Sequence, residues 1–127
     1  MVRYLLDSTL LIDHANGHDA AVKLLRRCYE EGAELFTCDV VACEVLSGGD
    51  GEQRAYLARL LNALDYVATD PAAAQAAGAA RLERGKAGGR LALADALIAA
   101  VAAGLGATVV TRNRPDFARL NVSVLTY

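Results

Sequence analysis

Proline occurs only twice in the 127 residues and glycine 11 times, which excludes collagen-like and proline-rich low-complexity classes. Cysteine is scarce too. Cys28, Cys38 and Cys43 are odd in number and form no CxxC pair, so neither a disulfide framework nor a zinc ribbon is expected, and a reducing cytosol is the simplest home. All three read as small buried hydrophobes rather than reactive thiols. The two histidines, His14 and His18, are spaced i, i+4, but Asn16-Gly17 interrupts the helix between them, and they read as surface residues rather than a metal pair. No Ser-His-Asp or Cys-His arrangement stands out. Long apolar runs are also missing: Asp7 and Asp13 interrupt what would be the core of a signal peptide, and the alanine-rich stretch from Leu91 to Ala107 carries Asp95, so it reads as a buried core helix rather than a membrane span.

Hydrophobic residues make up 54% of the chain, mean hydropathy is +0.25 and alanine is roughly a fifth of all residues. These values exclude a disordered chain and predict a single helix-rich domain over residues 1–127. A net charge of −2 argues at face value against a nucleic-acid binder. The charges are unevenly placed, however, with six cations against twelve acids in residues 1–80 and seven against three in residues 81–127.

Val2–Leu6 is an apolar run broken only by Arg3, and it reads as a buried strand handing over at Asp7-Ser8-Thr9 to a short helix. Asn16-Gly17 turns the chain, and Ala21, Val22, Leu24, Leu25 and Cys28 then recur at helical spacing until Gly32. Leu35–Cys38 is a second strand, and Asp39 is placed to cap a helix from Val40 to Leu46 that Ser47-Gly48-Gly49 ends. A helix from about Glu52 to Leu64, a strand at Tyr66–Ala68 and a helix from Pro71 to about Glu83 follow. The Leu57, Leu60, Leu61 and Leu64 stripe reads as ordinary core before it reads as a partner groove. Arg84–Arg90 reads as a mobile basic loop; it is no P-loop, because Lys86 precedes the later glycines and lacks a following Ser or Thr. A helix over Leu91–Ala103, a strand over Ala107–Thr111 and a last strand over Val122–Leu125 complete the pattern. Strands alternating with helices predict an α/β fold with a parallel sheet of four to five strands flanked by helices.

Ligands in such sheets bind beyond the carboxyl ends of the strands. Asp7 follows the first strand, Glu44 sits one helical turn past the second, and Asn113 and Asp116 follow the fourth. Asp95 stands alone in an otherwise apolar helix, where a carboxylate costs several kcal/mol unless paired. A buried cation or a shared divalent metal would compensate it, and each acid taken singly also fits a cap or an ion pair. Hard oxygen ligands without a histidine or cysteine cluster point to Mg²⁺ or Mn²⁺, and a metal site of this kind hydrolyses phosphodiesters without a protein nucleophile.

Four stretches, Leu5–Asp13, Val41–Leu46, Leu93–Ala100 and Thr111–Phe117, together resemble the PIN-domain family, and within it the VapC-type toxins of toxin–antitoxin pairs. The resemblance implies a PIN-like three-layer fold and a cytoplasmic Mg²⁺-dependent endoribonuclease, Mn²⁺ being a possible substitute. Asp7, Glu44 and Asp95 would be metal-binding acids and Thr9 the small polar residue beside the first. Asn113 stands where many members carry aspartate; its amide can position a water but supplies no charge, so the fourth acid's role falls to Asp116. The resemblance also implies an RNA substrate, a cognate VapB-like antitoxin and a homodimer, with no membrane association. Lys86, Arg90, Arg112, Arg114 and Arg119 are candidate contacts to the RNA backbone, a solvated face being the alternative for each. If the four acids hold metal, removing their charge turns the net −2 into +2, and the acidic balance no longer argues against RNA. A HAD-like phosphatase is disfavoured because Thr9 stands where a second aspartate is needed, and a receiver domain because the last lysine is Lys86. A catalytically weak or inactive PIN-like module that binds RNA or protein is the remaining alternative.

Overall fold

Strand β1 (Arg3–Leu6) lies at the centre of a five-stranded parallel sheet in a computed structural model of the chain, which describes residues 1–117 and 120–127. Having a neighbour on each side, it buries both faces: Leu5 and Leu6 are fully inaccessible, which is why the run does not alternate. Helices α1 (Ser8–Ala15) and α2 (Asp19–Glu30) lead to β2 (Glu34–Cys38). Next come α3 (Asp39–Leu46), α4 (Gly51–Asn62) and β3 (Asp65–Val67). The chain then continues through α5 (Pro71–Lys86), α6 (Leu93–Leu105), β4 (Thr108–Val110), a short α7 (Arg114–Phe117) and β5 (Val124–Leu125).

The strand order is β3-β2-β1-β4-β5. The chain therefore builds outward from β1 in one direction, then returns and builds outward in the other. The point of reversal lies between β1 and β4, where Leu6 stands opposite Val110, and side chains leaving those two strands are brought together beyond their carboxyl ends. The core spans the sheet and its helices through Leu10, Leu11, Val41, Ile98, Val109 and Phe117, all fully buried. Helix α2 shows how sequence sets this packing: Ala21, Leu24, Leu25 and Cys28 face inward, Lys23, Arg26 and Arg27 outward, and Gly32 at φ +74° stops it.

Local signals hold where capping decides them. Asp70 Oδ1 accepts from Ala73 N at 2.8 Å with Pro71 opening α5, and Asp50 Oδ1 accepts from Gln53 N at 2.7 Å at the start of α4. Other expectations change. Helix α5 continues through Lys86, so the first half of the predicted basic loop is helical, because one glycine at position 85 is tolerated in a helix that Asp70 and Pro71 have already started. Helix α6 runs Leu93–Leu105 and is capped by Gly106, whose φ of +64° is left-handed. It is the most apolar helix, and no helix among the described residues is long and apolar enough to cross a membrane.

Asp39 does not cap α3. Cys38 holds that position, and Asp39 Oδ1 instead accepts from Thr69 Oγ1 at 2.8 Å and Thr69 N at 3.2 Å, tying α3 to the segment after β3. Burial works to raise this carboxyl's pKa, but the hydrogen bonds from Thr69 and Val40 outweigh it and hold it below the usual range. Cys43 is exposed, unlike Cys28 and Cys38, because it lies on the α3 face opposite Val41 and Val45. Burial pushes the thiols of Cys28 and Cys38 up, so both are inert core residues. His18 is more than a surface residue, since its Nδ1 accepts from Ala21 N at 3.4 Å at the start of α2, and half-buried His14 stacks on Tyr56.

Thr37, fully buried in β2, has a hydroxyl with no hydrogen-bond partner among the described residues. Thr37→Val keeps the shape and removes the orphaned group. It is expected to raise stability by about 1 kcal/mol and Tm by about 4 °C in calorimetry; a fall would show that the hydroxyl has a partner.

Candidate active site

The reversal between β1 and β4 places Asp7 and Thr111 side by side although 104 positions separate them. Asp7 leaves β1 and its backbone N donates to Val110 O at 3.0 Å, which fixes its main chain to β4. The residue is 3% exposed. Oδ2 accepts from Thr111 Oγ1 at 2.7 Å and Thr9 Oγ1 at 3.2 Å, while Ser8 Oγ lies 3.5 Å from Oδ1. The two threonine oxygens are themselves 3.2 Å apart, and each accepts a backbone N–H from the segment after β4: Arg112 N on Thr9 at 3.1 Å and Asn113 N on Thr111 at 3.0 Å. Two hydroxyls, each fixed by a backbone amide, thus hold Oδ2, and among the described residues Oδ1 carries only the long Ser8 contact.

Asp7 is also the residue preceding α1, but its side chain makes no capping bond to that helix. The helix still favours it, because the positive end of the α1 dipole faces an anion placed there. Among the described residues no ion pair reaches Asp7 or Glu44. Glu44 stands on the exposed side of α3 close enough to feel Asp7. Burial raises its pKa, the Asp7 charge adds to the rise, and a hydrogen bond from Ser8 opposes it. The two hard oxygen acids therefore repel each other.

Asp95 is the third residue of α6, half-buried, on a helix that packs against both β1 and α3. Its position in the first turn provides a compensation not foreseen from composition, the positive end of the helix itself. Among the described residues no three acids, histidines or cysteines converge closely enough to hold a metal ion as they stand. The Asp116 side chain is not among those described, and Glu44 is an exposed side chain on α3.

Asn113 follows β4 and is exposed. Asp116 belongs to α7, and its side chain lies outside the described residues, as does Arg119. Arg114 is exposed on α7. Lys86 is 3.6 Å from Glu83 at the end of α5, and Arg90 joins Arg81 and Leu91 in the wall of a cavity of about 700 Å³ that none of the acids lines. Arg112 is exposed, but its Nε lies 3.6 Å from Asp13 Oδ2. Asp13 went unnoticed as a site residue. It is 8% exposed and accepts from the Tyr127 hydroxyl at 2.7 Å. The signal for it was helical spacing, since Asp13 falls three residues after the buried Leu10; for Tyr127 there was none.

The profile of the PIN domain family matches residues 4–122. The chain belongs to the PIN-domain family. This PIN domain is a homologue of VapC ribonucleases: it is 35% identical over 114 residues to the VapC ribonuclease Mb1587 of Mycobacterium bovis, covering 86% of this chain and 85% of that one. Ribonuclease VapC11 of Mycobacterium tuberculosis is similar to the same extent. In three dimensions the PIN domain resembles VapBC2 of Rickettsia felis bound to a promoter DNA fragment, with a TM-score of 0.84, 21% identity and 99% of each chain covered. A toxin–antitoxin complex from Klebsiella pneumoniae gives a TM-score of 0.78 at 26% identity, covering 97% of this PIN domain and 96% of that chain.

Proposed function

We propose that this PIN domain is a Mg²⁺- or Mn²⁺-dependent endoribonuclease acting as the toxin of a cytoplasmic toxin–antitoxin pair. The observation that carries the reading is the Asp7 carboxylate: nearly inaccessible, held on one side by Thr9 and Thr111, and facing Glu44 with no cation against it among the described residues. The kinship with VapC ribonucleases supplies the substrate class, and the likeness to toxin–antitoxin complexes supports an antitoxin partner.

The donor set fits a hard divalent ion, since it consists of carboxylate oxygens with hydroxyls behind them and no thiolate or imidazole. Asp7, Glu44, Asp95 and Asp116 would hold it. A bound ion supplies Lewis acidity toward the scissile phosphate. The chain's own residues do the rest. Thr9 and Thr111 orient the Asp7 carboxylate and keep it from rotating; Asn113 offers an amide that can orient a water; Arg112 and Arg114, which follow β4, provide positive charge for the strand, with Lys86 and Arg90 as contacts for phosphates away from the acids.

Purified protein is expected to cleave single-stranded RNA with Mg²⁺ or Mn²⁺ and not with EDTA. RNA binding without cleavage under any of these conditions would leave the binding-module reading in place of the nuclease. A second expectation concerns the ion alone. Mg²⁺ at tenfold its Kd stabilises the native state by about 1.4 kcal/mol through linkage, so Tm rises in wild type and stays unchanged in Asp95→Ala. An equal rise in both proteins removes Asp95 from the ligand set.

A further inference from the structure

We infer that Asp13 and Tyr127 are positioning residues that hold the Arg112 guanidinium beside Asp7 as the contact for a phosphate of the RNA strand. This rests on the ribonuclease reading and adds to it a pair of residues that never touch the substrate.

Arg112 is tied at two ends. Its backbone N donates to Thr9 Oγ1 at 3.1 Å, and that hydroxyl lies 3.2 Å from Asp7 Oδ2, so one residue links its main chain to the Asp7 carboxylate. Its side-chain Nε lies 3.6 Å from Asp13 Oδ2. The Arg112 side chain is nevertheless 56% exposed, and among the described residues its terminal nitrogens make no hydrogen bond. An arginine whose Nε lies against a carboxylate and whose Nη groups make no hydrogen bond among the described residues has the fork that recognises a phosphate. Holding that fork in place beforehand removes the rotamer entropy that a free arginine loses on binding.

Asp13 is built for this purpose rather than for solvent. Its side chain is 11% exposed, which is costly for a carboxylate, and the cost is met by two groups meeting at one oxygen: Arg112 and the Tyr127 hydroxyl at 2.7 Å. Tyr127 is itself seated, its ring packing edge-on against the His18 ring at the start of α2 with the ring centroids 5.9 Å apart. Burial raises the Tyr127 pKa, the Asp13 carboxylate raises it further, and together they outweigh a hydrogen bond from Thr9 and the Arg112 charge, so the hydroxyl remains a donor at neutral pH. Tyr127, Asp13 and Arg112 therefore form a chain of contacts leading from α2 to the Asp7 site.

A double-mutant cycle with the full chain tests this, using wild type, Asp13→Asn, Arg112→Gln and the double variant on a single-stranded RNA with Mg²⁺. Arg112→Gln is expected to raise KM about tenfold, the factor for one lost charge-assisted hydrogen bond. Asp13→Asn, which keeps an acceptor for Tyr127 and loses the ion pair, is expected to raise KM about threefold with kcat little changed, and to have no further effect once Arg112 is gone. Tyr127→Phe is expected to act in the same direction, and it serves in place of Asp13→Asn if that variant does not fold. An equal effect of Asp13→Asn in both backgrounds, or a loss of Tm with no change in KM, overturns the inference and leaves the nuclease reading intact. If wild type cleaves no RNA the nuclease reading itself falls, and Kd for RNA by fluorescence anisotropy, measured on the same four proteins, then decides the inference.

Discussion

Asp7→Asn is expected to lower kcat/KM for single-stranded RNA by about a hundredfold or more while leaving the fold intact. The substitution is isosteric, and an amide oxygen at the Oδ2 position still accepts from Thr9 and Thr111. What it removes is the charge. That charge is held almost out of solvent and presses on Glu44, so its loss relieves repulsion in the native state and Tm is expected to stay level or rise. An activity assay paired with calorimetry separates the two effects. A variant as active as wild type would show that Asp7 is a structural acid and would sink the proposed mechanism; a variant that is inactive because it is unfolded would be recognised by its melting curve.

Thr111→Val has the second-largest expected effect, this time on stability as well as on activity. Thr111 is fully buried; its hydroxyl donates to Asp7 at 2.7 Å and accepts from Asn113 N at 3.0 Å. Valine fills the same space but leaves a buried carboxylate short of a donor and a backbone N–H without its acceptor. Hydrogen bonds to charged groups are worth about 1.5–3 kcal/mol, so Tm is expected to fall by roughly 5–10 °C, and kcat to fall as Asp7 loses its orientation. Thr111→Ser restores the hydroxyl at the cost of a methyl group and is expected to recover most of both. An unchanged melting temperature in Thr111→Val would mean that Thr9 alone suffices to hold Asp7.

The sequence made Asp7 conspicuous because an apolar strand ends on it, and Asp95 because every residue around it is apolar. Both are local contrasts, and local contrasts survive folding. Glu44 is a candidate only through the order of strands and helices, and its nearness to Asp7 depends on α3 packing against α1, the helix that Asp7 precedes. Asp39 was misread for a simple reason: a helix cap and the first residue of the helix differ by one position, and the partner that decides between them, Thr69, lies 30 residues further on. Helix α5 runs further than the sequence suggests, because three glycines and three cations over residues 84–90 look like a loop, whereas a helix already begun passes through the first three of those residues.

The order of elements, the parallel sense of the sheet and the presence of acids just beyond the strand ends were determined by the sequence itself, since periodicity, turn residues and apolar runs act within a few residues of one another. Tertiary structure alone decided that Thr111 reaches Asp7, that Arg112 is held by Asp13, and that Tyr127 stands behind both. Those contacts join residues 104, 99 and 114 positions apart. No local propensity specifies them; they follow from the register between β1 and β4 and from the packing that brings the end of the sheet against α1.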